Sequence, residues 1–329
     1  MIRSRTNDET AVMNRQSDME VRNRRPDTAT EMDQQLEAAQ AALLATHAPD
    51  TRVHRVPWSQ GETQVLELGD DPPLLLIHGG GNGAFEWVPL LSALARNHRV
   101  IAVDRPGHGL ADPFDYRGVD LLDHARTFLR DILDALELRA VDVVANSMGG
   151  LWSVAFAIDA PERVSRLALV GAPAGVTRSV PHQLRLLGLP LIGKPLGRFL
   201  MSNPTRESIR KFWGEILVVH PEILDDTLLD ANVAHMRRNI GSILSLMRCA
   251  IGVGGLKAHL ILGKRWQALK VPTVFLWGER DAFTAPDVAE QIAEENPNLR
   301  VIRILGAGHL PWIDNPERVV DEIEHFLRS

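Results

Sequence analysis

The stretch Val141-Asp142-Val143-Val144-Ala145-Asn146-Ser147-Met148-Gly149-Gly150 decides the fold. Its first half is an apolar, β-branched run. Its second half carries a serine with small residues two before and two after. A sharp strand-to-helix turn demands this pattern, because larger side chains at 145 and 149 would collide as the backbone doubles back. The turn lifts the serine oxygen clear of the sheet and sets a helix N-terminus beneath it. Alanine stands at 145, where glycine is commoner, and still fits sterically.

Outward from this turn the same grammar repeats. Apolar runs lie at 74–77, 100–103, 167–170, 274–277 and 301–305, with two shorter ones around Val53 and Val56 and at 65–68. Continuous apolar strands of this kind are covered on both faces. Helical patterns separate them at 86–96, 120–136, 148–158, 286–295 and 316–327. Strand alternating with helix predicts an α/β fold with a mostly parallel, eight-stranded sheet and helices on both faces. Ligands in such folds bind at the carboxyl ends of the strands.

The alternation breaks between Gly171 and Val271. This stretch has helical periodicity, no convincing strand, and prolines at 181, 190, 195, 204 and 221 that divide it into short helices. It reads as an inserted helical cap over 177–269, with the sheet formed by 51–176 and 270–329. From Arg178 to Ala268 it holds 13 Lys/Arg against 6 Asp/Glu, a local charge of +7 beside −13 for the rest of the chain. A basic lid over an acidic body favours an anionic substrate if those charges face the site. Otherwise they are solvated, or simply attract the body. Residues 1–50 read as a polar leader. Its first part is too poor in apolar side chains to offset ordering entropy, so disorder is expected there. Leu36, Ala39, Leu43 and Leu44 predict a short helix over about 31–46.

Composition narrows the function classes. The chain has 329 residues, 45% hydrophobic and 24% charged, with a net charge of −6 and one cysteine, Cys249. An acidic balance argues against nucleic-acid binding. One cysteine excludes an intrachain disulfide and a cysteine-based zinc site. No apolar run is long enough to span a membrane and no secretory signal opens the chain. A cytoplasmic, monomeric or homodimeric protein is expected, acting on a small molecule with no cofactor and no metal.

Ser147 needs a base to take its proton. His309, in Gly306-Ala307-Gly308-His309 after the last apolar run, is the candidate. An acid must fix that imidazole. Asp281 follows the run ending Trp277-Gly278, and Glu279 competes in the same loop. The oxyanion needs preorganised donors. One is the N–H of Met148. The other belongs to the loop His78-Gly79-Gly80-Gly81, with Gly80 preferred and Gly79 and Gly81 beside it. His78 reads as a structural anchor of that loop. The cap's leucines, with Phe199 and Met201, read as lid core or as an apolar pocket wall. Gly79, Gly81, Asn146, Trp213, Met236 and Leu310 are the expected substrate contacts.

Together these residues resemble the α/β-hydrolase family, over roughly 53–328. Asp104-Arg105-Pro106-Gly107-His108-Gly109 is similar to the family's loop after its fourth strand, Gly278-Glu279-Arg280-Asp281 to its acid loop, and Gly308-His309-Leu310-Pro311-Trp312 to its histidine loop. The resemblance implies that Arg105 and His108 brace loops near the site, and that the cap follows the sixth strand. It implies a serine hydrolase acting on a carboxylic ester through an acyl-enzyme. The glycine run and the Asn146–Gly150 segment also resemble the meta-cleavage product hydrolases, which cleave carbon–carbon bonds in dienoates. Two departures stand against that branch: Leu310 where it has tryptophan, and Asn232 where an approximate alignment places its carboxylate-binding arginine. Cofactor-free haloperoxidases share the Ser-Met-Gly-Gly elbow. A binding protein that has lost catalysis, or an assembly role for the leader, would use the same scaffold.

Overall fold

Alternating side chains on the strands settle into two apolar layers. The structure, a computed structural model, describes residues 29–187, 189, 193–200 and 203–329. Strands β1 (Arg52–Trp58), β2 (Gly61–Leu68), β3 (Pro73–Ile77), β4 (Arg99–Val103), β5 (Val141–Ala145), β6 (Val164–Val170), β9 (Thr273–Gly278) and β10 (Leu299–Ile304) form one sheet in the order β1-β2-β4-β3-β5-β6-β9-β10. The pairs β1–β2 and β2–β4 are antiparallel; all others are parallel. On β3, Leu75 and Ile77 enter one layer while Leu74 and Leu76 enter the other. This is the two-residue period of a strand buried on both faces.

Helices cover both faces. On one side lie α3 (Leu121–Ala135) and α4 (Ser147–Asp159), and on the other α2 (Val88–Leu94) and α9 (Pro316–Arg328). Asp120 caps α3 by accepting from the N–H groups of Leu122 and Asp123, and Phe128, Leu129 and Ile132 line its buried face. The helix expected over 86–96 is a 3-10 turn (Ala84–Trp87) running into α2, with Pro89 in the first turn, where its missing N–H leaves no donor unmade. Trp87 stacks on Trp312 at 4.3 Å, joining this face to the C-terminal region. The expected run 301–305 shifts to β10, which ends before Leu305; that side chain is 71% exposed beyond the strand.

Between β6 and β9 lie α5 (His182–Leu187), α6 (Gly193–Leu200), α7 (Arg206–Ile216) and α8 (Asp226–Ala250). They are followed by a hairpin of β7 (Ile251–Gly252) and β8 (Gly255–Leu256), too short for a strand period to register in the sequence. Among the described residues no helix is long and apolar enough to cross a membrane. Phe199 is a position whose side chain is outside the described set, as is all of Met201 and the expected disordered part of the leader up to residue 28.

The leader helix is longer than expected. It runs as α1 (Ala29–His47) and docks on the body, burying Leu36, Leu43 and Leu44. Gln40 and Gln64 exchange side-chain amide hydrogen bonds. Asp33 pairs with Arg238 of α8, and His47 Nε2 lies 2.9 Å from Asp225 Oδ2 at the start of that helix.

Candidate active site

Ser147 sits where β5 stops and α4 begins, at φ +49°. This left-handed conformation is strained for a side-chain-bearing residue. The surrounding packing imposes it. A Cβ on Gly149 would lie 2.5 Å from the carbonyl oxygens of both Ile77 and His78. Glycine at 149 lets the elbow press onto the end of β3, and buried Ala145 shows that alanine suffices at the other small position.

Asp281 and His309 follow the ends of the last two strands, β9 and β10. His309 Nδ1 lies 2.8 Å from Asp281 Oδ2. The same oxygen accepts from Ala172 N–H at 2.8 Å, and Oδ1 accepts from Phe283 N–H at 2.9 Å. Three partners therefore fix this carboxylate. Glu279 points elsewhere: its Oε2 meets Gly306 N–H, and it is exposed. Phe283 stacks on the His309 ring at 3.9 Å. Sequence reasoning missed it, although an aromatic residue two after the acid was visible. His309 Nε2 is buried without a hydrogen-bond partner among the described residues, and His309 and Ser147 line one cavity.

The glycine loop is held from behind. Gly79 N–H donates to Glu86 Oε1 (3.1 Å), while the N–H groups of Gly80 and Met148 have no acceptor among the described residues. Gly79 O accepts from Arg105 Nη2 and from His78 Nδ1 (2.9 Å). In a trans peptide the C=O and the following N–H point in opposite directions. Fixing Gly79 O therefore turns the Gly80 N–H the other way. Arg105 is wholly buried, also donates to His78 O, and lies over the Trp152 ring. Burial brings its guanidinium down to about 10 and pushes Glu86 up to about 7 and Asp104 up to about 6. Burial, with Arg105 nearby, holds His78 and His108 well below the usual imidazole range. Among the described residues no group of three or more His, Cys, Asp or Glu is placed to hold a metal ion.

The cavity above has a volume of about 360 Å³. Gly79, Gly81, Asn146, Trp213, Met236 and Leu310 all line it. Asn146 Nδ2 is already committed to Val170 O (2.6 Å) and His309 O (3.2 Å), tying the elbow to the histidine loop. The cavity wall contains no Lys, Arg, Asp or Glu among the described residues. Of the two alternatives for the cap's positive charge, the described residues therefore fit the one in which it is not turned to this wall. Arg206 pairs with Asp226 and Asp230, Arg238 with Asp33, and Arg210 donates to the carbonyls of Pro221 and Leu224.

Residues 74–322 match the profile of the alpha/beta hydrolase family. The chain belongs to that family. This alpha/beta hydrolase is 30% identical over 260 residues to a 2-hydroxy-6-oxononadienedioate/2-hydroxy-6-oxononatrienedioate hydrolase of Burkholderia vietnamiensis, covering 78% of this chain and 86% of that one. A protein of the same name from Paraburkholderia xenovorans is 28% identical, over 85% and 97% of the two chains. The alpha/beta hydrolase also shares its fold with a Bacillus subtilis carboxylesterase, at TM-score 0.71 and 20% identity over 90% of this chain and 98% of the other. A 2-hydroxy-6-oxo-6-phenylhexa-2,4-dienoate hydrolase from Rhodococcus sp. strain RHA1 superimposes at TM-score 0.69 and 18% identity, over 85% and 99%.

Proposed function

We propose that this alpha/beta hydrolase is a serine esterase for neutral, largely apolar carboxylic esters, with 177–269 acting as the cap over its site. One observation carries the reading. The cavity that holds Ser147 and the Asp281-anchored His309 has a wall with no Lys, Arg, Asp or Glu among the described residues. A carboxylate buried there would meet no cation, and an unpaired buried charge is costly. Apolar side chains such as Leu184, Phe212 and Met236 suit an acyl chain instead.

His309 Nε2 accepts the Ser147 hydroxyl proton as Oγ attacks the carbonyl carbon. The N–H groups of Met148 and Gly80 receive the oxyanion. The intermediate collapses as His309 returns the proton to the departing alcohol. Water, deprotonated by His309, then releases the acid from Ser147. Asp281 holds the imidazole tautomer and steadies its charged form.

A second reading, carbon–carbon hydrolysis of a dienoate on the same residues, is favoured by the names of the relatives at 28–30% identity. The test offers p-nitrophenyl butyrate and a 2-hydroxy-6-oxo-dienoate to the wild type and to Ser147→Ala. We expect ester turnover, and its loss on the order of 10⁴–10⁶ in the variant. Cleavage of the dienoate alone moves the assignment to the second reading. Turnover unaffected by Ser147→Ala ends both.

A further inference from the structure

Three consecutive glycines give the oxyanion loop great conformational freedom, so its peptide planes need external fixing. Each plane has its own partner. Arg105 and His78 hold Gly79 O, His108 Nε2 lies 3.1 Å from Gly80 O, and His235 Nε2 lies 3.1 Å from Gly81 O. The first three groups flank the loop on the body. His235 comes from α8, one of the inserted helices.

The tautomer of His235 follows from its other nitrogen. Nδ1 faces Gly109 N–H at 3.2 Å and Asn239 Nδ2 at 3.1 Å, both donors. Nδ1 therefore accepts, and the proton sits on Nε2, which donates to Gly81 O. The ring is wholly buried, and burial brings it down to about 3, so it stays neutral. His108, by contrast, faces two carbonyls, Pro106 O and Gly80 O, and a neutral ring donates to only one of them.

The same side of α8 is fastened to the body at helical spacing. Arg238 donates to Gly109 O and Ala111 O, Asn239 to Gly109 O, and the hydroxyls of Ser242 and Ser245 accept from Phe114 and Tyr116 N–H. The adjoining stripe of the same helix carries Asn232, Met236, Ile243 and Met247 into the cavity. Met247 also approaches Gly80.

We propose that His235 is a positioning residue through which α8 holds the last plane of the glycine loop, so that the Gly80 N–H is in register only while α8 is seated on the body. The inference rests on the reading of Ser147 as nucleophile and Gly80 as oxyanion donor. Its consequence is that the substrate-covering helix and the catalytic loop form one unit.

The test measures the rate at which a fluorophosphonate labels Ser147 in the full chain, beside thermal unfolding. Glutamine places an amide N–H where Nε2 stood; asparagine offers an acceptor where Nδ1 stood but does not reach Gly81. We expect His235→Asn to label roughly tenfold more slowly, the scale of a displaced catalytic group, and His235→Gln to recover most of that rate at a similar unfolding temperature. Asparagine labelling like the wild type, or glutamine as slow as asparagine, overturns the proposal. A wild type that is not labelled at Ser147 overturns the underlying reading instead, and this inference with it.

Discussion

The floor and the roof of the cavity are built on opposite principles. In the floor nearly every polar group has an assigned partner: Asp281 has three, Gly79 has its N–H and its C=O both engaged, and buried Arg105 is held by carbonyls. The roof offers Leu184, Ile209, Phe212, Trp213 and Met236, with polar side chains but no charged one among its described residues. Buried polar networks fix geometry because a misplaced group goes unsatisfied. Apolar walls discriminate weakly, a methylene being worth only about 1–3 kcal/mol. On the proposed reading the floor sets the rate and the roof a permissive preference. Substitutions in the two should fail differently.

After Ser147 itself, the largest effect is expected at the acid. In Asp281→Asn only one of the two terminal atoms still accepts, so the amide cannot serve His309 Nδ1–H and Ala172 N–H at one end and Phe283 N–H at the other, as the carboxylate does. Without a carboxylate the imidazole loses both its tautomer and the charge that stabilises its protonated form. Ester turnover should fall by roughly 10³–10⁴ with KM little changed. A loss confined to KM would show that the floor is not the seat of the chemistry.

The second prediction concerns what burial of the floor does to stability. Glu86 ionises near 4.5 when exposed, and burial in the fold pushes it up to about 7. Between those values the folded chain holds a proton that the unfolded chain has released. Glu86's contribution is therefore complete below pH 4.5 and is lost as pH rises through 7, by up to about 3 kcal/mol. Asp104, pushed up to about 6, acts in the same direction. Glu67, held low by hydrogen bonds with Arg99 and His54, and Asp225, held low by Thr227 and Leu228, act only below their ordinary values. Urea unfolding at pH 5 and pH 8 should show the wild type losing more stability than Glu86→Gln. Equal losses would remove Glu86 from the account.

The contrast also explains what the sequence made legible. The run 141–150 specified a strand, an elbow and a helix because a turn of that sharpness admits few residues. His309 and Asp281 could be placed because both follow apolar runs at one sheet edge. Partners chosen by tertiary packing were harder to single out. Phe283 stacks on His309, Glu86 holds Gly79 and His235 holds Gly81 through tertiary packing, and each alone resembles an ordinary core or surface residue. The charge of the inserted helices was countable, but its direction was not. Arg206, Arg210 and Arg238 are turned to local acids and carbonyls. The leader helix likewise showed its apolar spacing without showing that α8 and the body would receive it.

The smallest effect tests the roof directly. Asn232 lies in the cavity wall, and its Nδ2 donates within its own helix, to Leu228 O at 3.1 Å. Asn232→Arg puts a guanidinium into a wall that has no charge. An anionic acyl substrate then gains a partner, and a neutral one must pack beside a poorly solvated cation. The ratio of kcat/KM for a p-nitrophenyl hemisuccinate over p-nitrophenyl butyrate should rise about tenfold, close to 1.4 kcal/mol, while the fluorophosphonate labelling rate of Ser147 stays near the wild-type value. If labelling fell as far as the neutral-ester rate, Asn232 would belong to the positioning of the floor, and the division between a rate-setting floor and a selective roof would be drawn in the wrong place.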